Sequence, residues 1–180
     1  DAPSVAGEPN IHLLIPTHTP RHLGACIAAV TWQSKLPTSI VVTCDSDDPQ
    51  IGSLIDQTWK RVIDALRPSR PQPLLLHTAR PHQGEARLNQ VRNNGLRALD
   101  AAGVLRDADQ VIVLDGDTIL HPEAIARHAE MACRGFELVI PYRLNLTEAQ
   151  SSGVNADVVL SEGTHLASVW LNSDAQRELD

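Results

Sequence analysis

Short apolar runs alternate along the chain with segments of helical periodicity. The runs are nearly continuous, which is typical of strands covered on both faces of a sheet. We predict five strands, at residues 11–16, 39–45, 73–78, 111–117 and 137–141. Between and after them, apolar residues recur three or four positions apart within 23–30, 51–66, 88–99 and 125–133, which predicts four helices. The alternation predicts an α/β fold: an open, mostly parallel, Rossmann-like sheet with helices on both faces.

Length and composition fit one domain. The 180 residues are 42% hydrophobic, enough for a single core. The opening DAPSVAGEPN is small, polar and rich in turn-forming residues, so we predict a flexible tail at 1–10 and one domain over 11–180. No apolar run is long enough to cross a bilayer, and a net charge of -7 disfavours nucleic-acid binding, so we expect neither a transmembrane segment nor a nucleic-acid partner. The three cysteines lack close spacing, and reduced thiols favour a cytoplasmic location.

Two aspartates separated by one glycine follow the fourth predicted strand. In an extended segment, residues i and i+2 point to the same side, so Asp115 and Asp117 would present their carboxylates together. Two close carboxylates raise each other's proton affinity unless a cation neutralises them, and Mg²⁺ or Mn²⁺ prefers such oxygen ligands. Helix capping is the alternative, but Pro122 predicts a helix start near His121, well beyond Asp117. A metal or diphosphate site is therefore favoured.

Further polar residues lie at the neighbouring strand and helix. Asp47 and Asp48 precede Pro49, so we interpret them as helix caps. Asp45 lies closer to the strand end, where it could either cap the helix or accept hydrogen bonds from a nucleobase. Gly95 interrupts a strongly helical pattern, and we predict that it lets this helix approach the sheet closely.

Four segments together resemble the inverting family 2 glycosyltransferases of GT-A fold. They are LLIPTHTP, LGACIAAVTWQSKLPTSIVVTCDSDD, GEARLNQVRNNGL and VIVLDGDTILHPEAI, in that order between residue 11 and about residue 144. Members of this family transfer a sugar from a nucleoside diphosphate sugar to an acceptor hydroxyl with inversion. Their acidic DxD motif holds the divalent cation and the donor. The resemblance therefore implies a GT-A-like fold, a Mn²⁺ or Mg²⁺ cofactor, and a carbohydrate or other hydroxyl acceptor.

The resemblance also implies roles for individual residues. Asp117 would be the principal metal ligand, with Asp115 beside the ribose or the metal. The other donor-site residues would be Thr17 and His18 beside the nucleotide, Asp45 on the base, and Arg92 with Asn93 near the donor.

The catalytic base is not identified by the sequence. In the family it is an acidic residue well downstream of DxD, and the chain stops before a motif of the usual form. Glu162, Glu178 and Asp180 are available, and nothing in the sequence distinguishes them. One interpretation is that the domain is truncated at its carboxyl terminus. The alternatives are a non-catalytic nucleotide-sugar-binding or assembly module and, less favoured, a phosphatase of the haloacid dehalogenase type, whose downstream lysine has no counterpart after DGD.

Overall fold

The sheet has four parallel strands in the order β3-β2-β1-β4. The computed structural model of the chain describes residues 8–68, 70–85 and 87–163. The strands are β1 (Ile11–Thr17), β2 (Ser39–Cys44), β3 (Leu74–Ala79) and β4 (Gln110–Val113). β1 pairs with β2 on one side, with Leu14 opposite Val41, and with β4 on the other, with Leu14 opposite Val113. The predicted α/β class and parallel sheet are confirmed.

Helices connect the strands. The described residues contain the α-helices α1 (Leu23–Ala28), α2 (Pro49–Ala65), α3 (Leu88–Ala101), α4 (Ala124–Cys133), α5 (Glu148–Ser152) and α6 (Ala156–Glu162), and a short 3-10 helix, Ala29–Trp32, continues α1. The four helices predicted from periodicity correspond to α1 with its extension, α2, α3 and α4, so those predictions are confirmed. None of the helices in the described ranges is both long enough and apolar enough to span a bilayer.

Alternation along β1 sends side chains to two separate cores. Leu13 and Ile15 pack with residues of α1, α2 and α4 in the main core. Leu14 points to the opposite face, where it packs with Val41 and Leu99 beneath α3. Helices therefore cover both faces of the central strands, as predicted. At the edge, β3 is only partly covered, and Leu74 is 43% exposed.

Gly95 lies where α3 crosses the sheet. A Cβ built on this glycine would be 3.0 Å from both Cγ and Cδ1 of Leu14, and 3.3 Å from Cγ2 of Thr43. The Thr43 hydroxyl also donates a hydrogen bond of 2.9 Å to the Val91 carbonyl of α3. The interpretation that this glycine permits close approach of helix and sheet is confirmed.

One strand prediction was wrong, and the end of another was wrong. Residues 137–141 do not form a strand in the described part of the chain: Leu138 is 77% and Ile140 82% exposed. An apolar run becomes a strand only when its backbone finds a ladder partner, and Pro141 removes a donor from this one. The fourth strand ends at Val113, four residues before the predicted end at Asp117. Leu114 and Gly116 still donate to carbonyls of β1, but the chain turns between Asp115 and Thr118.

Candidate functional site

The reversal of strand order creates a crevice at the carboxyl ends of β1 and β4. From β1 the chain adds β2 and then β3 on one side, and then returns to place β4 on the other side of β1. Open α/β sheets bind ligands outside the strand ends at such a switch point. Thr17 ends β1, and Asp115 to Asp117 follow the end of β4. The fold thus brings the residues of the two predicted segments to one edge.

Asp115, Gly116 and Asp117 lie in a tight turn. The Thr118 N–H donates to the Asp115 carbonyl at 2.9 Å, and the Gly116 N–H donates to the Pro16 carbonyl at 3.2 Å. The predicted extended geometry is therefore wrong: the two aspartates sit on a turn fastened to the end of β1. Both side chains are exposed, which leaves their carboxylates accessible to a ligand. The following helix begins only at Ala124, so neither aspartate caps it.

Two arginines flank the Asp115 carboxylate. Arg92 Nη2 of α3 is 3.8 Å from Asp115 Oδ1, and Arg143 Nη1 is 3.7 Å from Oδ2. The Arg143 side chain is 62% exposed. The Arg92 side chain is 37% exposed, although its Nε is buried. The resemblance places Arg92 near the donor, whereas nothing in the sequence points to Arg143, which lies two residues after the wrongly predicted strand at 137–141. No periodicity or spacing links it to Asp115.

The Cys26 thiol lies beneath the same turn. Its Sγ donates to the Asp115 carbonyl at 3.8 Å. Burial raises the pKa of the Cys26 thiol to about 12, and the negative charges of Asp117 and Asp115 act in the same direction. The thiol is therefore neutral, so the side chain that lies beneath the acidic turn carries no charge.

Asp45 is buried at the end of β2 and is already engaged by basic groups. Its Oδ1 is 2.8 Å from Arg80 Nε, and its Oδ2 is 3.4 Å from His82 Nδ1. The Arg87 N–H also donates to Oδ2 at 3.4 Å. The residue is only 1% exposed. In this arrangement, Asp45 ties the connection between β3 and α3 to the end of β2.

The start of α3 forms a basic wall of the crevice. An open cleft of about 510 Å³ is lined by Arg87, Leu88, Asn89, Gln90 and Arg92. Arg80 from the end of β3 contacts the Gln90 side chain through Nη1. Because guanidinium groups match the geometry of phosphate oxygens, this wall is suited to an anionic ligand.

The donor set fits a cation that is shared with a substrate. No group of three or more His, Cys, Asp or Glu side chains converges in the described ranges 8–68, 70–85 and 87–163. The turn offers two carboxylates, Asp115 and Asp117. Mg²⁺ commonly uses one or two protein carboxylates together with substrate phosphates and water. Asp115 and Asp117 could therefore hold a hard divalent cation, provided that its other ligands came from substrate phosphates and water.

The remaining sequence-predicted residues have varied surroundings. Thr17 is buried, whereas His18 is exposed on the loop after β1 and Asn93 is exposed on α3. Asp48 caps α2, because its Oδ1 accepts the Gln50 N–H at 2.9 Å, so the capping interpretation is confirmed for this residue. Glu162 is exposed at the end of α6, and Glu178 and Asp180 lie outside the described residues.

Comparisons with known proteins give no assignment: no family model matches the chain, and no curated protein matches it significantly.

Proposed function

We propose that the chain is the donor-binding domain of an inverting glycosyltransferase of family 2 type, with a GT-A-like fold. It would bind a nucleoside diphosphate sugar together with Mn²⁺ or Mg²⁺ and present the sugar to an acceptor hydroxyl. One observation carries the proposal: the acidic turn at Asp115 and Asp117 lies beside the end of β1, where the strand order reverses and arginines line the opening.

Charge and accessibility support a diphosphate at this turn. Asp117 is exposed and would be the principal cation ligand, with Asp115 beside it or at the ribose. Arg92 and Arg143 are close enough to Asp115 to contact phosphate oxygens bound in front of it. A carboxylate pair alone would repel a diphosphate, whereas carboxylates, a cation and two guanidiniums together balance its charge.

The nucleoside would extend from the turn toward β2. Thr17 and His18 border that path, and Asn93 lies one residue after Arg92 on α3. Asp45 lies at the end of the path, next to the cleft at the start of α3. For the Asp45 carboxylate to accept hydrogen bonds from a nucleobase, the base edge would have to replace the His82 or Arg87 contact, both of which are long at 3.4 Å.

The chemistry requires stabilisation of the leaving diphosphate and a base for the acceptor hydroxyl. When bound, the cation would stabilise the charge that develops on the leaving group. Arg92 and Arg143 would orient the diphosphate and share that charge. The acceptor hydroxyl must lose a proton to a base, which would be a carboxylate not yet assigned.

The cysteine side chains support the proposed cytoplasmic location. Cys26, Cys44 and Cys133 are free thiols, and the first two are buried. Free thiols persist in reducing compartments, whereas secreted proteins usually pair their cysteines.

Calorimetric titration of the chain with UDP and GDP, each with and without Mn²⁺, tests the proposal. We expect binding of one nucleotide that depends on the metal. Transfer from, or hydrolysis of, the matching nucleotide sugar would then separate an enzyme from a module that only binds. Absence of metal-dependent binding to both nucleotides would contradict the proposal.

A further inference from the structure

We propose that Thr17 is a positioning residue that sets the place of the acidic turn through direct contact with Gly116. The inference rests on the proposed function for its meaning, because the turn carries the carboxylates assigned to the cation. It goes beyond that function in assigning Thr17 a role through the protein instead of through the nucleotide. It also assigns Gly116 a steric role.

Gly116 is required by space and not by backbone conformation. Its φ lies outside the left-handed region that favours glycine, so the backbone itself would accept another residue. A Cβ at this position, however, would be 2.9 Å from Thr17 Cβ, 2.9 Å from Thr17 Oγ1 and 3.4 Å from the Pro16 carbonyl oxygen. Thr17 Cβ is fixed to the strand backbone and cannot rotate away. Any side chain at residue 116 must therefore displace the turn or the end of β1.

Thr17 is itself held by two hydrogen bonds. Its carbonyl accepts the Asp45 N–H at 2.8 Å, which joins it to the end of β2. Its hydroxyl donates to the Thr19 carbonyl at 2.9 Å, which shapes the loop that carries His18. The residue is 5% exposed. Its side chain is thus committed to protein contacts, and it presents little surface to a ligand.

These contacts connect the three segments of the site that a bound donor would contact. Thr17 links the Asp45 backbone, the loop after β1 and the turn at Asp115 to Asp117. Moving the turn would move both carboxylates relative to the arginines around them. Loss of a group that orients a metal ligand typically weakens metal binding by about 10- to 100-fold. We expect a displaced turn to have an effect of that size.

Four variants test the contact. Gly116→Ala introduces the clash, and Thr17→Gly in the Gly116→Ala background removes the Cβ and Oγ1 that cause it. Gly153→Ala is the matched control, because a Cβ there meets nothing within 4 Å and its φ is -86°. Thr17→Val keeps the contact surface and removes the hydroxyl. Each of the four is titrated with nucleotide and Mn²⁺. Thermal unfolding without ligand is measured for the same four variants and also for the single variant Thr17→Gly.

The expected pattern separates positioning from direct binding. Gly116→Ala should weaken metal-dependent nucleotide binding by about 10-fold or more, and the added Thr17→Gly should recover part of that loss. Gly153→Ala should stay within about twofold of the wild type, since it leaves the contact unaltered. Thr17→Val should keep more of the binding than Gly116→Ala does, since it keeps the Thr17 Cβ that meets residue 116 and loses only the hydroxyl. A Thr17→Val variant that loses binding as strongly as Gly116→Ala would show that the hydroxyl, and not the contact with residue 116, decides binding, and would overturn the inference.

Thermal unfolding tests the same contact independently of any ligand. The effects of Gly116→Ala and Thr17→Gly on Tm should be non-additive, because the second change relieves the strain of the first. Additive effects would overturn the inference. If the wild type binds no nucleotide with Mn²⁺, the proposed function fails, and this cycle still decides whether the contact positions the turn.

Discussion

At the scale of the residue, the site depends on charged side chains that lie far apart in the sequence and come together only in the fold. Asp115 and Asp117 could be predicted because a short acidic motif follows an apolar run. Arg143 could not, because its approach to Asp115 depends on the path of the whole connection after α4. The partners of the buried Asp45 could not be predicted either, because Arg80 and His82 follow a different strand.

Replacing Arg143 by glutamine should weaken binding of a nucleoside diphosphate. The side chain is 62% exposed, so solvent screens its charge, and we expect a loss of about 1 kcal/mol, or roughly fivefold in Kd. The corresponding nucleoside monophosphate should be affected less, because it carries fewer phosphate oxygens. Arg127→Gln is the control, since Arg127 is an exposed arginine of α4 whose ion pair is with Glu130. Equal losses for both nucleotides would argue against a diphosphate contact.

At the scale of the element, α3 contains a glycine that is unfavourable for the helix but necessary for its packing on the sheet. A glycine in a helix interior costs about 1 kcal/mol relative to alanine. The position of Gly95 inside the apolar pattern of α3 predicted close packing of this helix on the sheet, and the short distances to Leu14 and Thr43 confirm that prediction. The apolar run at 137–141 misled for a related reason: its residues have high strand propensity, but propensity reports a fit to a pleated, half-buried surface that these residues do not have.

Gly95→Ala should lower the free energy of unfolding despite the better helix propensity of alanine. Overpacking a tight contact typically costs about 1–3 kcal/mol, which offsets the gain of about 1 kcal/mol from propensity. Gly52→Ala in α2 is a matched control, because its Cβ would meet His77 Cε1 at an ordinary 3.6 Å. Urea unfolding of both variants measures the difference. Stabilisation by Gly95→Ala as large as that by Gly52→Ala would contradict the close-packing account.

At the scale of the whole molecule, one polar network closes the end of the sheet opposite the site. His12 Nδ1 is 2.7 Å from Ser39 Oγ, and its Nε2 is 3.2 Å from Asp109 Oδ2. Burial alone would raise the pKa of Asp109, but hydrogen bonds from the His12 side chain, from Asn10 and from the Arg106 N–H lower it below its usual value. The network joins β1, β2 and the residue before β4, so its loss would loosen the whole sheet.

Acid should destabilise the fold in two steps. Burial lowers the pKa of His128 on α4 below its ordinary value of 6.5. As the pH falls, the unfolded chain therefore binds a proton at this histidine before the folded chain does. Stability is therefore fully present above that pH and falls as the pH drops below it; the lowered pKa of Asp109 adds a second loss below 3.8. His128→Gln should reduce the change in Tm between about pH 7 and pH 5 relative to the wild type. The control His18→Gln, at an exposed position, should not. If His128→Gln showed the same change in Tm with pH as the wild type, protonation of His128 would not be the cause of the first step.

The strand order is the property of the whole molecule that gives the site its location. Alternating strand and helix patterns indicate a doubly wound sheet, but they do not specify on which side of β1 the fourth strand is added. That choice brings Gly116 against Thr17 and places the acidic turn in the crevice. The class of fold could thus be predicted from periodicity, whereas the contacts that shape the site depend on long-range pairing.

The most direct test of the account is titration of Asp117→Asn with the nucleotide that the wild type binds in the presence of Mn²⁺. Asp117 is exposed on the turn, so the variant should keep the wild-type circular dichroism spectrum and Tm while losing metal-dependent binding. Asp107→Asn is the control, because Asp107 is exposed in the loop before β4, at the opposite end of that strand from the acidic turn. Loss of binding in Asp117→Asn alone is the result that the account predicts. Metal-dependent binding of wild-type strength in that variant would contradict the cation site.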